Sequence, residues 1–158
     1  MKPNEIFTKL KVHFGEEILE LVENPPSDSF ILVKPQKIDE ICQFLRDDDA
    51  LHFDYLTLLS GLDLKENLGI VYHLFSMKLK HRLVLKTLVS KENPTLPTIE
   101  RIWRTADWHE REAYDMFGII FNGHRNLIRI LCPYDWEGYP LRKDYKAPEE
   151  YHGNKVPY

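Results

Sequence analysis

Tyr55-Leu56-Thr57-Leu58-Leu59, Ile70-Val71-Tyr72-His73-Leu74-Phe75 and Arg82-Leu83-Val84-Leu85-Lys86-Thr87-Leu88-Val89 are the runs that decide the fold. Each is short and dominated by leucine, β-branched and aromatic side chains, which suit a pleated, half-buried surface. Gly61–Gly69 and Ser76–His81 separate them. Three such runs with short breaks predict an antiparallel meander.

Upstream, Ile6, Phe7, Leu10 and Phe14 recur at helical spacing, so residues 4–14 read as an amphipathic helix ending near Gly15. Ile18–Val22 and Phe30–Val33 flank the turn signal Asn24-Pro25-Pro26-Ser27-Asp28 and predict a hairpin. Pro35 suits the first position of a second helix, where its missing N–H costs nothing. Ile38, Ile41, Cys42 and Leu45 then place one apolar stripe on the core. Asp47-Asp48-Asp49 reads as a solvated turn. Helices segregated from hairpins imply an α+β, two-layer domain, with helices packed on a mostly antiparallel or mixed sheet. That domain is expected to span residues 1–134, followed by an extended C-terminal docking arm over 135–158.

The 158 residues suffice for one domain with its own core, and 43% apolar with 29% charged residues is ordinary for a globular chain. The net charge of -4 argues against nucleic acid as a partner. No run approaches the roughly 20 apolar residues of a membrane span, and Met1-Lys2-Pro3-Asn4-Glu5 lacks the apolar core of a signal peptide. A cytosolic or peripheral membrane location is the expectation. Cys42 and Cys132 lack metal-binding spacing and read as small core hydrophobes.

Pro94 and Pro97 are expected to open a loop. A third helix is expected over 107–117: Asp107 and Glu110 have capping-box spacing, Arg111 and Asp115 lie at i,i+4, and Gly118 sits where a C-terminal cap glycine belongs. From Asp135 to Tyr158, Leu141 and Val156 are the only aliphatic residues larger than alanine, apart from proline. Trp136, Tyr139, Tyr145, Tyr151 and Tyr158 are spread along this stretch, which therefore lacks a core of its own. It is either an unstructured tail or an arm whose aromatics dock on a partner; interface anchors of this type favour the arm.

Glu110, Glu112 and Asp115 supply carboxylates without an obvious catalytic dyad, since Glu110 points away from the other two on a helix. Histidines 13, 52, 73, 81, 109, 124 and 152 form no short paired-ligand motif, so no zinc site is expected. His73 reads as a half-buried strand residue, and His124 as a turn residue offering its ring for a hydrogen bond. Nucleophile elbows, P-loops and dinucleotide fingerprints are missing.

Glu110-Arg111-Glu112-x-x-Asp115-Met116-Phe117-Gly118-Ile119, His124, Arg129-Ile130-Leu131, Asp135-Trp136-x-Gly138 and Pro140-Leu141-Arg142-Lys143-Asp144-Tyr145 resemble the C-subunit (30 kDa subunit) family of NADH-quinone oxidoreductase, respiratory complex I. The J subunit of chloroplast NDH is similar. The strong resemblance covers residues 108–145, and a weaker pattern, including Val71-Tyr72-His73-Leu74, covers nearly the whole chain. Two departures stand out: Arg125 where the family usually has proline, and Ile128 in place of the first of two basic residues.

The resemblance implies a non-catalytic assembly subunit in the peripheral arm of a proton-translocating NADH:quinone oxidoreductase. Such a subunit packs against the forty-nine-kilodalton (D) subunit on the cytoplasmic side of the membrane. It implies no cofactor or metal on this chain, with NADH, FMN, iron–sulfur clusters and quinone on partner subunits. Glu110, Arg111, Glu112 and Asp115 would form an ion-pair network with His124 nearby. Arg129, Arg142, Lys143 and Asp144 would anchor the arm, with Trp136 and Tyr145 at the interface. Two alternatives stay open: the homologous subunit of a membrane-bound hydrogenase or a ferredoxin- or F420-linked dehydrogenase, and a free-standing carboxylate enzyme.

Overall fold

A computed structural model describes residues 1–23, 26 and 28–156. The first helix, α1 (Pro3–Phe14), starts with proline at its first position, and Glu5 accepts the Lys2 N–H at 2.8 Å. Strands β1 (Ile18–Val22) and β2 (Phe30–Val33) pair antiparallel as expected, although Asn24, Pro25 and Ser27 of the predicted turn lie outside the described residues. A short 3-10 turn, Pro35–Lys37, leads into α2 (Ile38–Asp47). The proline thus opens that turn rather than the α-helix itself. The stripe Ile38, Ile41, Cys42 and Leu45 is fully buried.

Strands β3 (Tyr55–Asp63), β4 (Asn67–Phe75) and β5 (Arg82–Ser90) form the meander. They reach further than the sequence breaks suggested, since Gly61 and Gly69 both lie within strands. A glycine is required at 61: a Cβ there would overlap the Phe117 ring. The five strands run in the order β1-β2-β5-β4-β3, and the hairpin joins the meander by a parallel pairing of β2 with β5. Leu59, Tyr72, Leu85 and Ile31 stand side by side across four strands and face the core, each 3% exposed or less. Sheet alternation and the α2 stripe therefore bury the same volume from two sides.

The stretch after β5 departs from expectation. Thr95–Pro97 is not loop but strand β6, paired in parallel with β7 (Ile120–Asn122). Leu96 and Phe121, opposite each other in that ladder, are each 2% exposed. Burying this pair outweighs the N–H that Pro97 lacks, and a two-stranded ladder tolerates proline at its edge. Between β6 and β7 lies α3 (Ala106–Phe117), and a small hairpin of β8 (Glu150–Tyr151) and β9 (Asn154–Lys155) ends the described chain. Among the described residues, no helix is long and apolar enough to cross a membrane.

Candidate functional site

Helix α3 presents two buried faces with carboxylates in both. Ala106, Glu110, Ala113 and Phe117 fall three or four positions apart and point into the core, while Asp115 is buried beneath the segment 129–132. Gly118 ends the helix in the left-handed conformation at φ 72°, as its position predicts. The expected capping box does not form. Thr105 precedes the helix without a side-chain cap, Asp107 lies inside the first turn, and Glu110 turns inward instead.

Glu110 accepts the Ile99 N–H at 2.8 Å and bonds the Thr98 hydroxyl. Burial pushes its carboxyl up to about 8; the negative charges of Glu100 and Asp107 add to this, while the bonds from Thr98 and Ile99 pull the other way. At neutral pH Glu110 is therefore largely protonated. Glu100, just as buried, takes the opposite path. Burial raises its pKa, but Arg125 outweighs that through two bonds to one oxygen, from its backbone N–H at 3.2 Å and its Nε at 2.8 Å, and holds the group below the carboxylate range. Proline at 125 could supply neither bond, so the departure at this position has a structural purpose.

Asp115 is the most heavily bonded side chain of the helix. One oxygen accepts the backbone N–H groups of Ile130, Leu131 and Cys132 at 2.7–3.0 Å, and the other accepts Arg129 Nη1 at 2.6 Å. Burial works against its ionisation, yet the Cys132 N–H, the Arg129 guanidinium and the Leu131 and Ile130 N–H groups together hold its pKa low. The expected Arg111–Asp115 pair is therefore absent. Arg111 instead donates to the carbonyls of Ile128 and Arg129 and lies 5.5 Å from the Trp108 ring. The more distant Arg129 displaces the near neighbour Arg111 because its segment brings a guanidinium and three N–H groups together.

The remaining candidates divide between the end of the same helix, the end of β3 and contacts within their own segment. Arg142 Nε caps the Phe117 carbonyl at 2.6 Å, and the Tyr139 ring lies 5.4 Å from the Arg129 guanidinium and 4.8 Å from that of Arg142. Arg129 also reaches the Gly138 carbonyl, and the Trp136 indole donates to the Tyr145 hydroxyl at 3.1 Å. The Lys143 backbone N–H is held by Asp63 at 2.8 Å, while Asp144 lies 3.9 Å from Lys91. Glu112 stays exposed beside a shallow groove shared with Gly61, His109 and Leu141. His124 receives the Asn126 N–H on Nδ1 at 3.0 Å, so its ring proton sits on Nε2, 3.2 Å from the Asp107 carbonyl. Sequence reasoning missed Asp63, Thr98 and Glu100. No local spacing marks them, and the bonds that tie them to Glu110, Arg125 and Lys143 span 12 to 80 residues.

The model of the family described as respiratory-chain NADH dehydrogenase, 30 Kd subunit, matches residues 31–151. The chain belongs to this family. The C subunit of NADH-quinone oxidoreductase from Chloroherpeton thalassium is 48% identical over 99% of this chain and 67% of its own length. Its counterpart in Chlorobium phaeobacteroides is 47% identical over 92% of this chain and 89% of its own length. That of Salinispora arenicola is 46% identical over 91% of this chain, with 61% of its own length covered. Among solved structures, a trypsin-resistant fragment (1–134) of Nqo5 superposes with a TM-score of 0.66 at 26% identity, covering 80% of this chain and all of the fragment. A chain of an archaeal membrane-bound sulfane sulfur reductase gives a TM-score of 0.72 at 23% identity, covering 92% of this chain and 86% of its own; this likeness concerns fold alone. The α+β architecture with a five-stranded mixed sheet is thus a property shared with the Nqo5 fragment.

Proposed function

We propose that this chain is a non-catalytic assembly subunit of a proton-translocating NADH:quinone oxidoreductase, docked on the D subunit at the cytoplasmic side of the membrane. NADH, FMN, iron–sulfur clusters and quinone reside on its partners, and its contribution is to fix their relative positions. One observation carries the reading. The buried carboxylates Glu110 and Asp115 spend both oxygens on internal partners, while large apolar side chains stand exposed on α3 and the following segment, among polar ones such as Glu112. Trp108 is 64% exposed, Ile128 53%, Leu131 64% and Tyr134 92%. Trp108 and Ile128 are joined through Arg111, which contacts both residues.

A free-standing enzyme needs a carboxylate available to substrate, whereas an assembly subunit needs exposed apolar anchors of this kind on a rigid frame. Residues 135–158 act in this reading as the docking arm, with exposed Glu112, Lys143 and Asp144 meeting charges on the partner. Glu110, Arg111, Asp115, His124, Arg129 and Arg142 hold the surface in shape from within, and Trp136 with Tyr145 stiffens the arm.

The test is assembly of the native complex with the double substitution Trp108→Ala and Leu131→Asp, followed by cross-linking to the neighbouring chains. The variant should fold as the parent does and fail to co-purify with the D subunit. Wild-type recovery of the complex would refute the docking surface.

A further inference from the structure

Glu100, Asp107 and His124 each offer one ligand atom, and these atoms lie within 4.8 Å of one another, although they come from three separate segments. Glu100 belongs to the stretch before α3, Asp107 to the helix's first turn, and His124 to the turn after β7. The Glu100 carboxylate is 1% exposed and bonds Arg125 through Oε1 alone. Among the described residues its Oε2 has no hydrogen-bond partner, and it faces His124 Nε2 at 3.7 Å. A buried, ionised oxygen left bare is costly, and a cation is the ligand that would satisfy it.

The dimensions suit an ion of zinc size. Four ligands at about 2.1 Å around a tetrahedral ion are about 3.4 Å apart. His124 Nε2 lies 3.4 Å from Asp107 Oδ1, and its 3.7 Å separation from Glu100 Oε2 needs only a small contraction. A water admitted past half-buried Asp107 can complete the shell. We propose that Glu100, Asp107 and His124 bind one divalent transition-metal ion that ties the β7 turn to α3. One imidazole nitrogen among carboxylate oxygens fits borderline ions such as Zn²⁺ rather than Mg²⁺ or Ca²⁺, which take oxygen shells.

Binding has a specific consequence for the ring. His124 now carries its proton on Nε2 and accepts the Asn126 N–H on Nδ1. With the ion on Nε2 the ring stays neutral and its proton moves to Nδ1. The Asn126 N–H, on an exposed residue, turns to water.

The experiment uses the purified full chain, stripped with a chelator and titrated with Zn²⁺ by calorimetry, with the histidine ring nitrogens followed by NMR. One equivalent should bind, and the His124 signals should convert from the Nε2–H to the Nδ1–H form. Asp107→Asn and Glu100→Gln should each weaken binding by roughly tenfold or more. His152→Ala, which removes the surface histidine bonded to Asp135, should leave binding unchanged. Asp107 is 26% exposed, so its variant remains informative if Glu100→Gln fails to fold. No stoichiometric binding, Asp107→Asn binding as wild type, or an unchanged His124 tautomer would each overturn the proposal.

Discussion

Replacing Asp115 with asparagine keeps the number of non-hydrogen atoms and removes one negative charge, which makes it the sharpest probe of how α3 holds the segment behind it. The carboxylate receives three backbone N–H bonds and the Arg129 guanidinium. Bonds to a charged acceptor contribute about 1.5–3 kcal/mol each, against about 0.5–1.5 kcal/mol for neutral ones. Asparagine keeps an oxygen for the three N–H groups but loses about 1 kcal/mol at each. It also turns an NH₂ group toward Arg129, donor against donor. Easier burial of a neutral side chain offsets part of this, leaving a net loss of about 2–4 kcal/mol.

For a chain of this size that corresponds to a fall in Tm of roughly 5–15 °C. Thermal melting at pH 7 measures it, with Glu112→Gln on the exposed face of the same helix as control. Trypsin provides a second readout, because Arg129 and Arg142 become accessible once the segment lifts. Asp115 has a folded pKa below its ordinary value, so its contribution is present above the unfolded pKa and is lost as pH falls through the folded one. The gap between wild type and variant should therefore close below about pH 4. Melting within 1–2 °C of the control (roughly 0.5 kcal/mol), with unchanged trypsin cleavage, would refute the account of Asp115 as the pin of this segment.

Glu110→Gln tests the opposite shift. With a folded pKa of about 8 against an ordinary 4.5, Glu110 contributes stability below the lower value and loses it as pH rises through the higher. The glutamine variant should match wild type near pH 4 and exceed it by a few kcal/mol at pH 9, roughly 5 at most, as read from urea midpoints. A constant difference across that range would show that burial does not govern this group. Gly61→Ala drives a methyl group into the Phe117 ring where β3 passes beneath α3, and should lower stability by about 1–3 kcal/mol in the same assay; a neutral result would mean the contact is loose.

Those elements whose evidence is local could be read from the sequence. Periodicity marks α1 and the α2 stripe, short apolar runs mark the meander, and Gly118 marks the end of α3. Each reflects forces acting within a turn or between adjacent pleats. The paired strands β6 and β7 escaped because each has three residues and one carries Pro97, and only the burial of Leu96 against Phe121 reveals them. At Asp107 and Glu110 the spacing was right for a cap, but a glutamate at that position can equally turn into the core. Thr98 and Ile99, brought alongside by the preceding strand, decide that it does. Arg111 and Asp115 posed the same ambiguity, settled by Arg129.

By itself, then, the sequence determined the α+β class, the positions of the main elements and, through the Glu-Arg-Glu helix and the run ending at Tyr145, the family. These depend on patterns repeated every two to four residues or on an uninterrupted motif. Only the tertiary structure decided the state of each carboxylate on and beside α3. Glu110 keeps its proton, Asp115 is pinned by three N–H groups, and Glu100 is held by Arg125 with one oxygen bare. All three are buried acids of one chemical kind. Burial and partners from distant segments set them apart, and neither is a property of residues close together in the chain.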